Sequence, residues 1–178
     1  MAEQEPPANP EQLARFSTTQ PLGRFSFLWL ITFGIYGLHW HYMKWRSFGY
    51  SKSNSVLFAI FSGFSIYGLS KRIFRLVNGQ GITVGIAPGA LVFSSVLGGV
   101  IGNNAPGFWF LLGLPLILFP PLYLQRFLNM YWLKSKPGHS QRSFFSGGFI
   151  AWSIAGVIIW SLTILGTLDE MGVIKLDG

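Results

Sequence analysis

The chain has no cysteine among its 178 residues. Disulfides, thiol nucleophiles and thiolate metal sites are therefore excluded. Carboxylates are almost as scarce. There are six, and all lie near the ends: Glu3, Glu5 and Glu11 at the start, Asp169, Glu170 and Asp177 at the finish. Between Gln12 and Leu168 there is none. General acid–base pairs, aspartate-oriented triads and carboxylate-held metals all require Asp or Glu, so the sequence argues against an enzyme. A Gly-rich phosphate loop followed by Lys is absent, as is a His-Glu-x-x-His pair. His139 has Ser140 and Ser143 beside it but no orienting acid in the loop, which reads as a solvated basic segment. No cofactor and no metal are implied.

Charge of either sign is low. Only 11% of residues are charged and 50% are apolar, where soluble domains carry roughly 25% charged residues. Residues 76–125 and 143–168 contain no Asp, Glu, Lys, Arg or His. A membrane-spanning helix needs about 20 apolar residues, so the first stretch can hold two such helices and the second one. The reading is all-α: a polytopic membrane helix bundle of four to five hydrophobic helices. The segments are residues 25–43, 56–70, 82–101, 108–124 and 149–168. The second gives about 22 Å of helix at about 1.5 Å per residue. That is short against a hydrocarbon core of about 30 Å, so this segment is the one expected to be re-entrant or interfacial.

Around these segments the chain divides into a flexible polar leader over 1–20, tandem hydrophobic segments over 21–77, three further helices over 78–168 and a short polar tail over 169–178. The leader is acidic and Pro-rich, unlike the basic start of a signal peptide, and is expected to be retained.

An internal repeat links the first two segments. Phe33-Gly34-Ile35-Tyr36-Gly37-Leu38 recurs as Phe64-Ser65-Ile66-Tyr67-Gly68-Leu69. Basic residues follow each copy: Lys44 and Arg46 after the first, Lys71, Arg72 and Arg75 after the second. The run from Phe33 through His39-Trp40-His41-Tyr42-Met43-Lys44-Trp45 resembles the Gly-Ile-Tyr, Tyr-Trp-x-Tyr-Lys signature of uncharacterised bacterial membrane proteins grouped as domain of unknown function 4234. The resemblance covers residues 21–76 and departs at His39 and His41, where aromatics are commoner. It implies a location in a bacterial inner membrane and no particular activity.

Tyr36, Trp40, Tyr42 and Trp45 crowd the end of the first segment. Trp and Tyr favour the membrane–water boundary, so these four are expected to act as interfacial anchors. Tyr36, Trp40 and Lys44 recur four apart and share a helix face, from which Lys44 could snorkel outward. His39 and His41 sit two apart, face nearly opposite ways on a helix and cannot share one metal. Small residues recur at packing distance: Gly85 with Gly89, then Ser94, Gly98 and Gly102, and Ala151 with Ala155. Such faces let helix backbones approach closely in lipid, either within the bundle or in a homo-oligomer. Pro88, Pro115, Pro120 and Pro121 interrupt the third and fourth segments, as kinks or as the broken helices of a small carrier.

Twelve of the thirteen basic residues lie between Gln12 and Leu168. Lys and Arg are retained on the cytoplasmic side. Five full spans divide them nine to four, a re-entrant second segment ten to three, and a chain in which both repeat copies dip in and return twelve to one. The charge rule favours re-entrance, although the first segment is long enough to cross. In every case residues 71–81 and 125–142 face the cytoplasm. The expected role is non-catalytic: a scaffold, an accessory subunit or an anionic-lipid-binding element. Lys44, Arg46, Lys71, Arg72 and Arg75 would then meet lipid head groups or an acidic protein partner. Nucleic acid is not expected. A small carrier or channel is the alternative, and a lipid-modifying enzyme is less favoured for want of carboxylates.

Overall fold

The computed structural model describes residues 10–17, 19–104, 111–135 and 147–170. Within them the chain is all-α, with eight helices and no strand. These are α1 (Pro10–Phe16), α2 (Leu22–Ile31), α3 (Ile35–Ser47), α4 (Lys52–Ile60), α5 (Ser62–Asn78), α6 (Pro88–Asn104), α7 (Gly113–Ser135) and α8 (Gly147–Glu170). Most of the leader, the start of the fourth hydrophobic segment, the loop around His139 and the tail after Glu170 lie outside the described residues.

The first hydrophobic segment, expected as one helix over 25–43, is two. Phe33 and Gly34 adopt φ of 48° and 85°. The Gly34 amide donates to the Trp29 carbonyl at 2.8 Å and the Thr32 amide to Leu28 at 3.2 Å. This is the closure of a helix that ends on a left-handed glycine. The chain then reverses. The Phe25 ring meets Tyr36 and Trp40 edge-on at 5.8 and 5.7 Å, so α3 returns alongside α2.

The second copy does the same by a different device. Its helix breaks at Phe61, and α4 and α5 are bent by 117°. Ser65 stands where the first copy has Gly34. A side chain there disfavours the left-handed turn, and the break falls four residues earlier. The Ser65 hydroxyl donates across it to the Phe58 carbonyl at 2.6 Å, an acceptor the interrupted helix leaves open. The repeat is thus a pair of helical hairpins joined by residues 48–51, with Ser51 capping α4 through the Asn54 amide.

The two hairpins meet through aromatic rings placed on glycines. Trp29 covers Gly34 and Gly37 of its own hairpin. Trp45 of α3 covers Gly68 of α5, where an added Cβ would stand 3.2 Å from Cη2. Gly37 and Gly68 are equivalent positions of the repeat.

Helices α6 and α7 form an antiparallel pair. Residues 82–87 form no helix, and Pro88 opens α6 rather than interrupting it, a position where its missing amide costs nothing. Gly98 faces Gly113 and Ile117, and Gly113 faces Gly98 and Gly102 so closely that no Cβ fits at either Gly98 or Gly113. In α7 the helix runs on past Leu124 to Ser135, through what the sequence suggested was a basic loop. Pro120 and Pro121 lie inside it. Pro120 cannot bond the Leu116 carbonyl, and the Ser94 hydroxyl of α6 donates to that oxygen at 2.7 Å. The freed carbonyl is thereby satisfied by a neighbouring helix.

Helix α8 runs along α2. Phe149 stacks on Phe27 at 5.6 Å, Gly156 meets Ile31, and Trp160 meets Phe33 at 4.4 Å. Residues 161–166 beyond it are all exposed. Among the described residues one helix, Gly147–Gly166, is long and apolar enough to cross a membrane by itself; α4 and α5 meet that standard only as a bent pair.

These contacts fix a polarity. Lys44 reaches Ser17, which also receives the Trp132 indole near the end of α7. Lys134 reaches the Gln80 carbonyl, and Arg72 reaches Tyr50. The ends of α3, α5 and α7 therefore lie together, and Lys44, Arg46, Lys71, Arg72, Arg75 and Lys134 lie with them. The hairpin tips, the α6 end of the α6–α7 pair and the outer half of α8 carry no charge before Asp169.

Candidate functional site

Three features stand out: a buried polar seam, a cavity at the hairpin tips and a basic surface.

The seam joins the first hairpin to α7. Trp40 Nε1 donates to Gln125 Oε1 at 2.7 Å, and Gln125 Nε2 donates to Asn129 Oδ1 at 2.8 Å. Asn129 pairs with the Gln20 backbone, accepting from its amide at 3.0 Å and donating to its carbonyl at 2.8 Å. The Gln20 side chain exchanges hydrogen bonds with the Tyr36 hydroxyl at 2.7 and 3.1 Å. Gln125 and Ser17 are fully buried. A buried amide without partners costs several kcal/mol, and one fully partnered fixes a single arrangement. The seam sets the register of α3 on α7.

This placement corrects the expectation for the aromatic residues. Tyr36, Trp40 and Trp45 are not boundary anchors: all are buried in the core, and Tyr42 is half-buried. The shared face of Tyr36, Trp40 and Lys44 exists but points inward. For Tyr36 and Trp40 the reason is that Gln20 and Gln125 supply the polar partners; Trp45 is held by its packing on Phe58, Tyr50 and Gly68. Lys44 does not snorkel outward. It is 4% exposed, donates to Ser17 Oγ at 3.3 Å and lies 5.6 Å from the Trp40 ring centre.

The cavity has a volume of about 300 Å³. The tip of the first hairpin supplies Trp29, Phe33 and Leu38, and the start of α5 supplies Ser62 and Ile66; α6 contributes Ser95, and α7 contributes Ile117 and Pro121. His41 also lines it. The imidazole is 5% exposed, and its buried Nδ1 has no hydrogen-bond partner among the described residues. Trp40 meets the ring edge-on at 5.1 Å. His39 lies elsewhere, against Tyr36 and Trp152, so the two histidines do point apart. Among the described residues no three His, Cys, Asp or Glu side chains gather as a metal site.

On the basic surface the five cations differ. Arg72 is sandwiched, 4.9 Å from the Tyr50 ring centre and 5.8 Å from Trp45, and donates to the Tyr50 hydroxyl. Burial pushes the Tyr50 phenol above its ordinary pKa, so it stays neutral there. Arg46 donates to the Tyr50 carbonyl at 2.7 Å and lies over Phe16. Lys71 and Arg75 are exposed on α5, Lys71 over the Tyr67 ring at 4.6 Å.

Of the small residues, Gly98 and Gly102 meet α7, and Ser94 bonds to it. Gly85 lies in the non-helical link and Gly89 in the first turn of α6, both facing open space, so no helix packing forms at either. Ala151 is exposed and Ala155 half-buried. Gly156, which the sequence pattern did not single out, makes the tight α8–α2 approach. No family model, curated protein or solved structure matches the chain.

Proposed function

We propose that the chain is a multi-pass integral membrane protein of the bacterial inner membrane that works without catalysis, as a scaffold or accessory subunit binding lipid. Helices α6, α7 and α8 cross the bilayer. The two repeat hairpins enter from the cytoplasmic side and return to it. The observation that carries this reading is the sorting of charge. The basic residues gather at one end of the bundle, while Phe64, Phe93, Val100, Ile154, Val157 and Leu162 turn outward elsewhere. Exposed apolar surface on this scale marks a lipid or protein contact. With both hairpins re-entrant, the basic residues divide twelve to one across the membrane, the strongest bias of the three topologies. The likeness to the domain of unknown function 4234 signature agrees with this placement.

The carrier reading has one observation in its favour: Pro121, inside α7, borders the cavity. Against it, the Leu116 carbonyl freed by Pro120 is taken by Ser94 rather than left to a solute.

The test uses the absence of native cysteine. In intact cells an impermeant thiol reagent should label Asn103→Cys and leave Lys52→Cys and Gln12→Cys unlabelled until the cells are opened. Five full spans would place position 52 outside, and labelling there would reject the double hairpin. Release of the protein by alkaline carbonate would reject membrane integration altogether.

A further inference from the structure

We propose that the protein is a one-sided wedge. It broadens the cytoplasmic leaflet more than the other and so gathers where the membrane bulges toward the cytoplasm. Its partner is a curved lipid surface. The inference rests on the re-entrant reading of the two hairpins and adds what that arrangement does to the bilayer.

The first argument is the length of the arms. The first hairpin runs from Arg24 in to Phe33 and from Gly34 back to Lys44; the second runs from Lys52 in to Phe61 and from there back to Lys71. Each arm covers nine or ten residues between its basic residue and its tip, about 14–15 Å of helix at about 1.5 Å per residue. That is half of a hydrocarbon core of about 30 Å. With the basic residues at the head groups, the tips stop near the middle of the bilayer. The second tip suits that depth. Ile60, Phe61 and Phe64 are 62%, 59% and 74% exposed, and no charge lies between Lys52 and Lys71.

The second is what continues past the tips. Phe33 meets Trp160 of α8, and α8 runs nine residues further before the next charge, Asp169. Ser95 of α6 borders the same tips, and α6 runs nine residues further to its end at Asn104. Each extension is about 14 Å, the other half of the core. Helices α2 to α8 therefore share the cytoplasmic leaflet, and among the described residues only the three crossing helices enter the other. Residues 161–166 of α8 are all exposed, as expected where no hairpin lies beside them.

The third is area. A helix with its side chains is about 10–12 Å across, so four extra arms add roughly 300–450 Å² to one leaflet alone. The second hairpin adds more, because α4 and α5 are bent by 117°, short of full reversal, and their arms splay. Bending a membrane expands the leaflet on its convex side. A body that is broad in one leaflet therefore sits with least compression of the lipid where that leaflet is convex.

The test uses the full-length chain with Lys52→Cys, an exposed position at the start of α4. It is labelled with nitrobenzoxadiazole and reconstituted in both orientations into giant phosphatidylcholine vesicles. A thin tether is drawn outward from a vesicle, and label density in the tether is divided by that in the vesicle wall. Dithionite added outside bleaches the outward-facing label, so the two orientations are read separately. With the cytoplasmic side outward, the broad end lies in the convex leaflet and the ratio should exceed one. With that side inward, the ratio should fall below one. Lipid and protein are the same in both, so orientation is the control. Equal ratios, or the opposite order, would overturn the proposal. A second measurement checks the depth of the tip. Phe61→Cys with the same label should be quenched more by lipid carrying a nitroxide at the chain end than by lipid carrying it near the glycerol. The reverse order would remove the half-depth geometry and the wedge with it. Failure of the membrane reading shows elsewhere, as labelling of Lys52→Cys in intact cells or release by carbonate. Equal tether ratios with position 52 still protected would reject the wedge alone.

Discussion

The indole of Trp29 lies on Gly37, its Nε1 2.7 Å from where a Cβ on that glycine would be. The ring belongs to α2 and the glycine to α3, so the pair fixes how closely the first hairpin closes. Gly37→Ala forces the indole aside, and overpacking of this kind costs about 1–3 kcal/mol. The equivalent Gly68→Ala meets Trp45 at 3.2 Å and should cost less. Gly63→Ala meets nothing within 4 Å and, lying in the first turns of α5, should be neutral or slightly stabilising. Thermal unfolding in mild detergent, followed by tryptophan fluorescence, gives the order. A Gly37→Ala protein as stable as Gly63→Ala would show that the hairpin does not close on this contact.

The Ser94–Leu116 hydrogen bond exists because Pro120 cannot make the backbone one. This predicts coupling between residues on different helices. Ser94→Ala alone should destabilise by about 0.5–1.5 kcal/mol, the net worth of a typical protein hydrogen bond. In a Pro120→Ala background the new amide can bond Leu116, and the same Ser94→Ala change should cost almost nothing. A double-mutant cycle with additive effects would mean that the hydroxyl does not serve the freed carbonyl.

How much of this was legible in the sequence follows from what each residue needs. The helical class and the uncharged stretches were plain, because carboxylates and lysines are absent over long runs. The Ser94, Gly98 and Gly102 spacing marked a tight face, since small residues at that interval have few other uses in an apolar helix. The repeat was visible, but its meaning as two hairpins was not. Gly34 is tolerated within a helix, and only its φ of 85° reveals a stop. The direction of the Tyr36–Trp40–Lys44 face was also hidden, because aromatic and basic residues at a helix end suit a membrane boundary as well as they suit a polar core. Gln20, Gln125 and Asn129 decide between the two. They are far from α3 in sequence and carry no motif, so no local signal could have found them. His41 was seen but weighed only as a metal ligand, and the cavity beside it needs five helices to exist.

The seam makes its own prediction. Gln125 accepts from Trp40 and donates to Asn129 while fully buried. Gln125→Leu takes the acceptor from the buried Trp40 indole, at about 1–3 kcal/mol, while Asn129 Oδ1 keeps the bond from the Gln20 amide. Trp40→Phe removes one donor from the glutamine oxygen and also loses part of the indole, so it should cost a comparable amount. Combining the two removes the polar pair together and should cost clearly less than the sum. Chemical denaturation of the three variants measures this, and strict additivity would count against a single connected seam.

The basic surface holds one cation stacked between rings and others that are exposed on α5. Arg72 lies between Tyr50 and Trp45 and ties the link at residues 48–51 to α5, so Arg72→Gln should loosen the second hairpin whatever lipid is present. Lys71 and Arg75 are exposed on neighbouring turns of the same helix, and each is worth about 1 kcal/mol near an anionic leaflet, less as salt rises. Lys71→Gln with Arg75→Gln should therefore cost little thermal stability in neutral detergent while reducing co-purifying phosphatidylglycerol or cardiolipin. Orientation must be checked in the same protein through Asn103→Cys labelling, because removing two charges also weakens the positive-inside signal. With topology retained, an unchanged anionic lipid complement would reduce Lys71 and Arg75 to orientation signals. Loss of anionic lipid in Arg72→Gln alone would instead show that the stacked guanidinium, and not the exposed pair, reads the head group.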